Sequence, residues 1–129
     1  MNLEIQKKLF ALPVFGAAIS IFYVSSIPQL PFLQTECAWQ DKVLHIIAYF
    51  IFGLSLLIAF IPYKKTSLKN KLIIFISIGT FYGASDEYHQ SFINGRSSEI
   101  ADLIADIIGI ILSSLIMIMY HKFKNKKID

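Results

Sequence analysis

The sequence predicts an all-α fold: a polytopic membrane bundle of four transmembrane helices with both termini in the cytoplasm. Of its 129 residues, 55% are hydrophobic and 16% are charged, whereas a soluble domain is about 45–50% apolar and about 25% charged. Four apolar segments lie at about 9–27, 41–61, 72–90 and 98–120. Each is long enough for a helix to cross the ~30 Å hydrocarbon core. The lysines cluster beside these segments, which is information on topology.

The first helix is predicted over residues 9–27, which are almost wholly apolar. Lys7 and Lys8 precede this run, as they would in a signal peptide. The sequence Ser-Ser-Ile-Pro at 25–28 is, however, a poor match to a small-x-small cleavage site. We therefore expect an uncleaved helix with a kink at Pro13.

A lysine-rich turn separates the second helix from the third. The second helix is predicted to end before Pro62, because proline interrupts the hydrogen bonds of a helix. The third helix contains Gly79 and Gly83. Small residues at this four-residue spacing let two helix backbones approach closely. The pair therefore predicts helix packing rather than ligand binding.

Turn and capping residues mark the start of the fourth helix. Asn94-Gly95 is a strong turn signal. Ser97 or Ser98 is expected to cap the helix, with Glu99 in its first turn, where a negative charge is favoured. A stripe of small residues then predicts a second packing seam: Ala101, Ala105, Gly109 and Ser113.

The distribution of lysines orients the predicted helices. Lysines are concentrated beside the N-terminus, in the second loop and beside the C-terminus, whereas the other two loop regions hold only Lys42 and Arg96. By the positive-inside rule, the protein is a multi-pass protein of the cytoplasmic membrane of the cell, with both termini cytoplasmic. No nucleic-acid partner is expected, because a basic patch with stacking aromatics is missing from the sequence. Cys37 is the single cysteine, so no intramolecular disulfide forms.

This topology brings the polar residues of three helix ends to the outer leaflet. We predict that they form one binding or functional cluster: Asp41, Lys42, His45, Tyr49, Asp86, Glu87, Gln90, Arg96, Glu99, Asp102 and Asp106. Ionisable groups within a membrane are costly, so such a cluster is a functional-site hypothesis by default. Asp106, about 10 Å below Glu99 along the helix, must face the bundle and be either paired or protonated. Lys42, His45 and Arg96 are its candidate partners.

Three kinds of chemistry are open to this cluster, and no cofactor is indicated. Asp86-x-x-His89, together with His45, has the spacing of carboxylate–histidine metal ligands in helix bundles. One such pair is a weak signal, so we expect no metal. Acids beside His45 also suit general acid–base chemistry on a lipid head group. Arg96 and Lys42 suit the binding of an anionic head group or a glycan phosphate. We rank binding above catalysis, and a purely structural cluster stays an alternative.

Three stretches of the sequence carry a resemblance: SSIP after the first helix, DKVLHIIAY at the start of the second, and GASDEYHQSFINGRSSEIADLIADIIG over 83–109. They resemble the VanZ-like family of membrane proteins, over nearly the whole chain, which implies a single domain over 1–129. The resemblance carries over to these positions: Asp41, Lys42, His45, Tyr49, Asp86, Glu87, Gln90, Gly95, Arg96, Asp102 and Gly109. The chain departs from the family pattern at Asn94, commonly proline, and at Asp106, commonly asparagine.

The resemblance also implies a function. The family is named for a membrane protein that accompanies glycopeptide-resistance genes and raises tolerance to teicoplanin. We therefore expect an outward-facing polar site that binds or modulates a cell-envelope component and affects susceptibility to teicoplanin-type antibiotics. The expected partners are the lipid bilayer and an anionic lipid head group or a cell-wall precursor, and the oligomeric state is open. The alternatives are a small intramembrane enzyme that acts on a lipid-linked phosphate, and a structural partner subunit of a membrane complex.

Overall fold

The computed structural model describes residues 2–28 and 38–126, and within them the chain forms four α-helices and no strand. The helices are α1 (Leu3–Ser25), α2 (Ala38–Phe60), α3 (Leu68–Gln90) and α4 (Ile100–Lys126). The predicted all-α fold is therefore confirmed. Cys37 lies outside the described residues.

The first and last helices extend beyond the apolar runs that predicted them. α1 begins at Leu3 rather than at about residue 9, because the Asn2 side chain accepts a hydrogen bond from the Glu4 N–H at 3.1 Å and caps the helix. It continues through Pro13 without ending. α4 runs to Lys126 rather than to about residue 120. Lysine is a good helix former, so a basic flank can continue either helix, and in the last turn of α4 its positive charge is also favoured.

The predicted starts of α3 and α4 also need correction. α3 begins at Leu68 rather than at about residue 72, because Ser67 caps it through its side-chain oxygen. α4 begins at Ile100, and neither predicted serine cap forms. The Ser97 hydroxyl instead donates to the Glu99 carboxylate at 3.0 Å. The Glu99 carbonyl accepts the first N–H groups of the helix, so this residue precedes its first turn.

α2 and α4 run parallel to each other and form the central pair of the bundle. Gly109 lies against the α2 backbone so closely that an added Cβ would stand 2.5 Å from the Ile46 carbonyl oxygen. Further along, Gly53 faces Ser113, whose Oγ would lie 1.9 Å from a Cβ at that position. Small residues on both helices therefore let their backbones meet, as predicted for Gly109 and Ser113. The matching role of Gly53 was not predicted.

α3 packs antiparallel against α4 through the predicted glycine pair. Gly79 lies over the Ile110 side chain, and Gly83 lies over Asp106. The packing role predicted for both glycines is confirmed. The hydrophobic core sits between α2, α3 and α4 and consists of Tyr49, Phe52, Leu56, Phe75, Ile110 and Met117.

α1 lies on the outside of the bundle, against α2 and α3. The Tyr82 hydroxyl of α3 donates to the Ala18 carbonyl at 2.6 Å. The ring of His89 stacks on Phe22, with centroids 4.4 Å apart. Most of the other large apolar side chains of α1 are exposed, including Phe15 and Ile19. α1 is therefore held along one narrow side and turns the rest of its surface outward.

Three helices in the described part of the chain are long and apolar enough to cross a membrane: Leu3–Ser25, Trp39–Phe60 and Ile100–Lys124. With the many exposed apolar side chains, they indicate a membrane protein. α3 is not among them, because its two ends are polar. Its first turn contains Lys69, Asn70 and Lys71, and its C-terminal end contains Asp86, Glu87, His89 and Gln90.

The alternating directions of the helices give the bundle two chemically different ends. At one end, here the lysine end, α1 and α3 begin and α2 and α4 finish. Lys7 Nζ there lies 5.5 Å from the centre of the Tyr63 ring, and Lys71 Nζ donates to the Phe60 carbonyl at 3.4 Å. At the opposite end, here the acidic end, α1 and α3 finish and α2 and α4 begin. The residues of the predicted cluster lie there.

Candidate functional site

Six acid, histidine and amide side chains of the described residues are buried at the acidic end, with exposed fractions between 0% and 8%: His45, Asp86, Glu87, Gln90, Asp102 and Asp106. They come from the start of α2, the end of α3 and the start of α4. Residues that only anchor a helix at a membrane surface remain in contact with water or head groups. Burial of this set therefore separates it from ordinary interfacial anchors.

Lys42 connects the start of α2 with the start of α4. Its Nζ donates to Glu99 Oε2 at 2.7 Å and lies 2.6 Å from Asp102 Oδ1 and 4.0 Å from Asp41 Oδ2. We call Asp41, Lys42, Glu99 and Asp102 the Lys42 cluster. The pKa of the Glu99 carboxyl is lowered, because it accepts hydrogen bonds from Lys42 and from the Ser97 hydroxyl. The single ammonium group is thus shared by three acids.

His45 and Asp106 form a buried pair one helical turn further into the bundle. His45 Nδ1 and Asp106 Oδ1 are 2.8 Å apart, and Asp106 is completely buried. His45 is therefore the partner of Asp106 among the three candidates that the sequence offered. Lys42 pairs with Asp102 and Glu99 instead.

Glu87 brings α3 into the same place. Its Oε2 accepts a hydrogen bond from the Glu99 N–H at 2.9 Å, which fixes the carboxylate at the start of α4. Its Oε1 lies 3.9 Å from His45 Nδ1. We call His45, Glu87 and Asp106 the His45 cluster.

Several atoms of this buried region have no hydrogen-bond partner within residues 2–28 and 38–126. They are Tyr49 Oη, Glu87 Oε1 and Asp106 Oδ2, whereas Asp102 Oδ1 has the Lys42 ammonium at 2.6 Å as its ion-pair partner. Tyr49 lies one turn below His45 on α2 and is 1% exposed. A buried polar atom without a partner is costly, so each such atom calls for an explanation.

Asp86 and Gln90 pair with each other beside the His45 cluster. Gln90 Nε2 donates to Asp86 Oδ2 at 3.1 Å. His89 turns away toward α1, where its Nε2 is 2.9 Å from the Ser26 hydroxyl. The structure therefore does not assemble Asp86, His89 and His45 into the metal-ligand set that the spacing offered.

Two other groups have the proximity that one metal ion requires in the described part of the chain. Their ligand atoms lie within 4.8 Å of one another, and the groups are Asp41, His45 and Asp102, and His45, Glu87 and Asp106. The first group shares its acids with Lys42, whose ammonium is 2.6 Å from Asp102. The second group, the His45 cluster, contains no lysine or arginine.

Arg96 has a contact that the sequence did not predict. Its Nε and Nη2 donate to the carbonyls of Ile27 and Val24, both at 3.3 Å. The last carbonyls of a helix have no partner within the helix, so Arg96 caps the C-terminal end of α1. A helix end that leaves carbonyls without helical partners was the available signal, but the sequence spacing could not identify Arg96 as the residue that binds them.

A cavity of about 410 Å³ opens between α1 and α2, and we call it the groove. Its wall is mostly apolar and includes Ala17, Ile21, Val24, Leu44, Ile47 and Ile51. One end of the groove is polar and is lined by Asp41, His45, Asp86, Gln90 and Arg96. The sequence did not predict this cavity, because its shape depends on the angle and position at which α1 packs against α2.

Fold and site together define a helical membrane protein with a buried acid–histidine site at one end of its bundle. The sequence model of the VanZ/LLP1 family matches residues 3–121. The chain belongs to this family, which confirms the resemblance drawn from its motifs. It is also 29% identical, over 99% of its own length and 74% of the relative's, to a protein of Schizosaccharomyces pombe described as uncharacterized. No solved structure matches the chain.

Proposed function

We propose that this protein binds an amphipathic component of the cell envelope, with the apolar chain of the ligand in the groove and its head group at the polar end. The observation that carries the proposal is the shape of the groove, in which an apolar wall leads to five polar side chains. Its volume of about 410 Å³ lies within the range of ligand pockets, about 300–1,000 Å³.

The head group best matched to this end carries a phosphate and hydroxyl groups. Arg96 bonds two carbonyls through Nε and Nη2, and a guanidinium has further N–H donors for a phosphate oxygen. Asp41, Asp86 and Gln90 offer oxygen acceptors for hydroxyl groups. An anionic lipid with a phosphate, or a lipid-linked precursor of the cell wall, has this chemistry. Lys42, which we expected to share the phosphate, is engaged by three acids.

The proposed topology has four membrane crossings. α2 and α4 are parallel neighbours, and each is apolar enough to span. A chain that crosses twice in one direction must return between the two crossings, and α3 is the segment that runs back. Its polar residues Asp86, Glu87 and Gln90 are buried in the bundle, which makes this crossing acceptable in a membrane.

The proposed orientation places the lysine end in the cytoplasm and the acidic end outside, in the cytoplasmic membrane of the cell. The lysine end carries the exposed Lys64, Lys65 and Lys69, and basic loops stay on the cytoplasmic side. A reporter fused after Asp129 should therefore be active in the cytoplasm and inactive outside. A reporter active only outside would overturn the orientation but not the ligand proposal.

Binding is tested with purified protein in nanodiscs and a polyprenyl phosphate, with the matching polyprenol as the neutral comparison. The Arg96→Gln variant should lose about ten-fold or more in affinity for the phosphate, because a hydrogen bond to a charged group contributes about 1.5–3 kcal/mol. The control is Lys65→Gln, an exposed lysine at the opposite end, which should bind as the wild type does. Equal binding of phosphate and alcohol would contradict the head-group assignment.

The effect on antibiotics follows from the same site. A protein that holds an envelope lipid changes what a teicoplanin-type antibiotic meets at the membrane. Expression in a susceptible bacterium should therefore raise the inhibitory concentration of teicoplanin, and Arg96→Gln should remove the increase. If the inhibitory concentration of teicoplanin still rises with Arg96→Gln, resistance does not depend on ligand binding in the groove.

The second candidate is an intramembrane enzyme that acts on a lipid-linked phosphate. The observation that favours it is the 2.8 Å contact between His45 Nδ1 and Asp106 Oδ1, because a carboxylate commonly orients a catalytic imidazole. Release of inorganic phosphate from the bound lipid, lost in His45→Gln, would support catalysis. A lipid that is bound and recovered unchanged supports the binding function.

A further inference from the structure

We propose that the His45 cluster is a binding site for a divalent transition-metal ion, with His45, Glu87 and Asp106 as its three protein ligands. The ligands come from three different helices, α2, α3 and α4, so an ion would join the ends of all three. Metal uptake is measured without any lipid, so this site does not depend on the function proposed for the groove.

The distances fit one ion. His45 Nδ1 is 2.8 Å from Asp106 Oδ1 and 3.9 Å from Glu87 Oε1. Bonds from zinc to nitrogen or carboxylate oxygen are about 2.0–2.2 Å, so two ligands of one ion lie at most about 4.4 Å apart. Both distances are below this limit, and the third pair of ligand atoms, on Glu87 and Asp106, lies within 4.8 Å. Small rotations of side chains therefore suffice to bring three ligand atoms to one centre.

The unpartnered carboxylate oxygen is the second reason. Glu87 Oε1 has no hydrogen bond to any residue within 2–28 and 38–126, and the side chain is only 7% exposed. Its other oxygen is fixed by the Glu99 N–H at 2.9 Å. The free oxygen is therefore held toward His45 by a hydrogen bond on the far side of the carboxylate. Such outer-sphere partners commonly orient the ligands of a metal.

The charge balance is the third reason. A protonated His45 would balance only one of the two acids, Glu87 and Asp106, whereas a divalent ion bound to the neutral imidazole brings the charge of the cluster to zero. The other cations of the acidic end are engaged elsewhere, since Lys42 lies between three acids and Arg96 bonds two carbonyls of α1. Buried carboxylates without a cation are strongly unfavourable.

The ligand set points to the class of metal. One imidazole nitrogen with two carboxylate oxygens suits Zn²⁺, Mn²⁺ or Fe²⁺ rather than the soft ions that prefer sulfur. Three protein ligands also leave one coordination position open, as in sites where a metal meets water or a substrate. His45 lines the polar end of the groove. An oxygen atom of a molecule in the groove is the group that this open position would accept.

The experiment measures metal uptake by the full chain in detergent, purified through a tag without histidines and treated with a chelator. Titration with Zn²⁺ and separately with Mn²⁺ should give about one ion per chain by elemental analysis. X-ray absorption at the zinc edge should show only nitrogen or oxygen neighbours at about 2.0–2.2 Å, the outer-shell scattering of one imidazole, and no sulfur. His45→Gln, Glu87→Gln and Asp106→Asn should each weaken affinity about ten-fold or more.

His89→Gln is the matched control, because this histidine lies at the same end but contacts Phe22 of α1 and Ser26, which follows that helix. It should bind metal as the wild type does. The proposal is overturned if the wild type takes up less than about 0.2 ions per chain, far from one-to-one binding. It is also overturned if His89→Gln weakens binding as much as Asp106→Asn. Helical content by circular dichroism identifies any variant that fails to fold, and the remaining ligand variants then decide the outcome.

The metal and ligand proposals fail separately. If the protein takes up metal but binds the phosphate no better than the alcohol, the His45 cluster stands as a metal site and the head-group assignment is wrong. If lipid binding depends on Arg96 but is unchanged after all metal has been removed, the groove stands as the lipid site. In that case the ion does not contact the lipid.

Discussion

α1 and α4 are both long and apolar enough to cross a membrane, yet the bundle uses them differently. Of the apolar span, 39% is buried in α4 and 11% in α1. Between Lys8 and Ser25, α1 carries no charged side chain, and it forms one wall of the groove. α4 carries Asp102 and Asp106, and its small residues Gly109 and Ser113 face α2. Ala101, predicted to belong to the same packing seam, is exposed instead. Hydropathy thus places both helices in a membrane, while the spacing of acids and small residues identifies the interior one.

The largest expected effect comes from leaving an acid of α4 without its partner. His45→Leu removes the group 2.8 Å from Asp106, and loss of one member of a buried ion pair costs about 3–5 kcal/mol. The double variant His45→Leu, Asp106→Leu should recover part of this loss, because replacing both members by apolar groups is often nearly neutral. Denaturant unfolding in micelles measures the free energy of each variant.

Val43→Leu serves as the control for His45→Leu, since Val43 is 40% exposed on the same helix. Its effect should stay within about 0.5 kcal/mol. If His45→Leu is as stable as the wild type, Asp106 needs no partner. The buried acids would then not distinguish α4 from α1 as the interior helix.

A matched pair of glycines compares the two helices directly. Gly109→Ala on α4 places a Cβ 2.5 Å from the Ile46 carbonyl oxygen, and overpacking of this kind costs about 1–3 kcal/mol. Gly16→Ala on α1 has no atom within 4 Å of the added Cβ. Alanine in a helix interior is favoured over glycine by about 0.5–1 kcal/mol, so this variant should be slightly more stable. The same unfolding measurement tests both, and equal effects would contradict the difference in packing.

A tyrosine pair tests how α1 is attached. Tyr82→Phe removes the 2.6 Å hydrogen bond to the Ala18 carbonyl, which should cost about 0.5–1.5 kcal/mol. Tyr88→Phe, at a ring that is 70% exposed, should have almost no effect. Hydrogen exchange of the α1 amides should rise in the first variant alone. Unchanged exchange would mean that this bond does not hold α1.

The smallest expected effect concerns Glu99, at the exposed edge of the site. Because the pKa of Glu99 is lowered in the folded protein by Lys42, its contribution is present above the ordinary carboxyl pKa and is lost as the pH falls through the lowered value. Glu99→Gln should cost about 0.2–1 kcal/mol at neutral pH, as exposed ion pairs do. Thermal unfolding should show this difference shrinking in acid and at high salt. A difference that grows in acid would reverse the assigned sign.

Much of the helical framework could be predicted from the sequence, because apolar length and small-residue spacing are local properties. Gly79 and Gly83 pack as predicted, and the positive φ of 82° at Gly95 agrees with the predicted turn. Helix starts were less predictable. Capping by Asn2 and Ser67 depends on side-chain hydrogen bonds, which extend helices beyond the apolar run.

The pairing of charges could not be predicted, because it depends on how the helices are rotated and which of them are neighbours. The sequence offered three partners for Asp106, and the register of the parallel contact between α2 and α4 selects His45 over Lys42. The same contact gives Gly53 its role opposite Ser113. The groove and the capping of α1 by Arg96 likewise require the position of a helix distant in sequence.

Arg96 would link the position of α1 to the anionic ligand proposed for the groove. Its bonds to the Val24 and Ile27 carbonyls fix the guanidinium, and its remaining N–H donors are the ones proposed for the anion. An anion that draws the guanidinium toward itself would weaken these bonds at the end of α1, and an α1 that moves away would release the guanidinium. Since such coupling is reciprocal, a change that loosens this helix would also change the affinity for the proposed ligand.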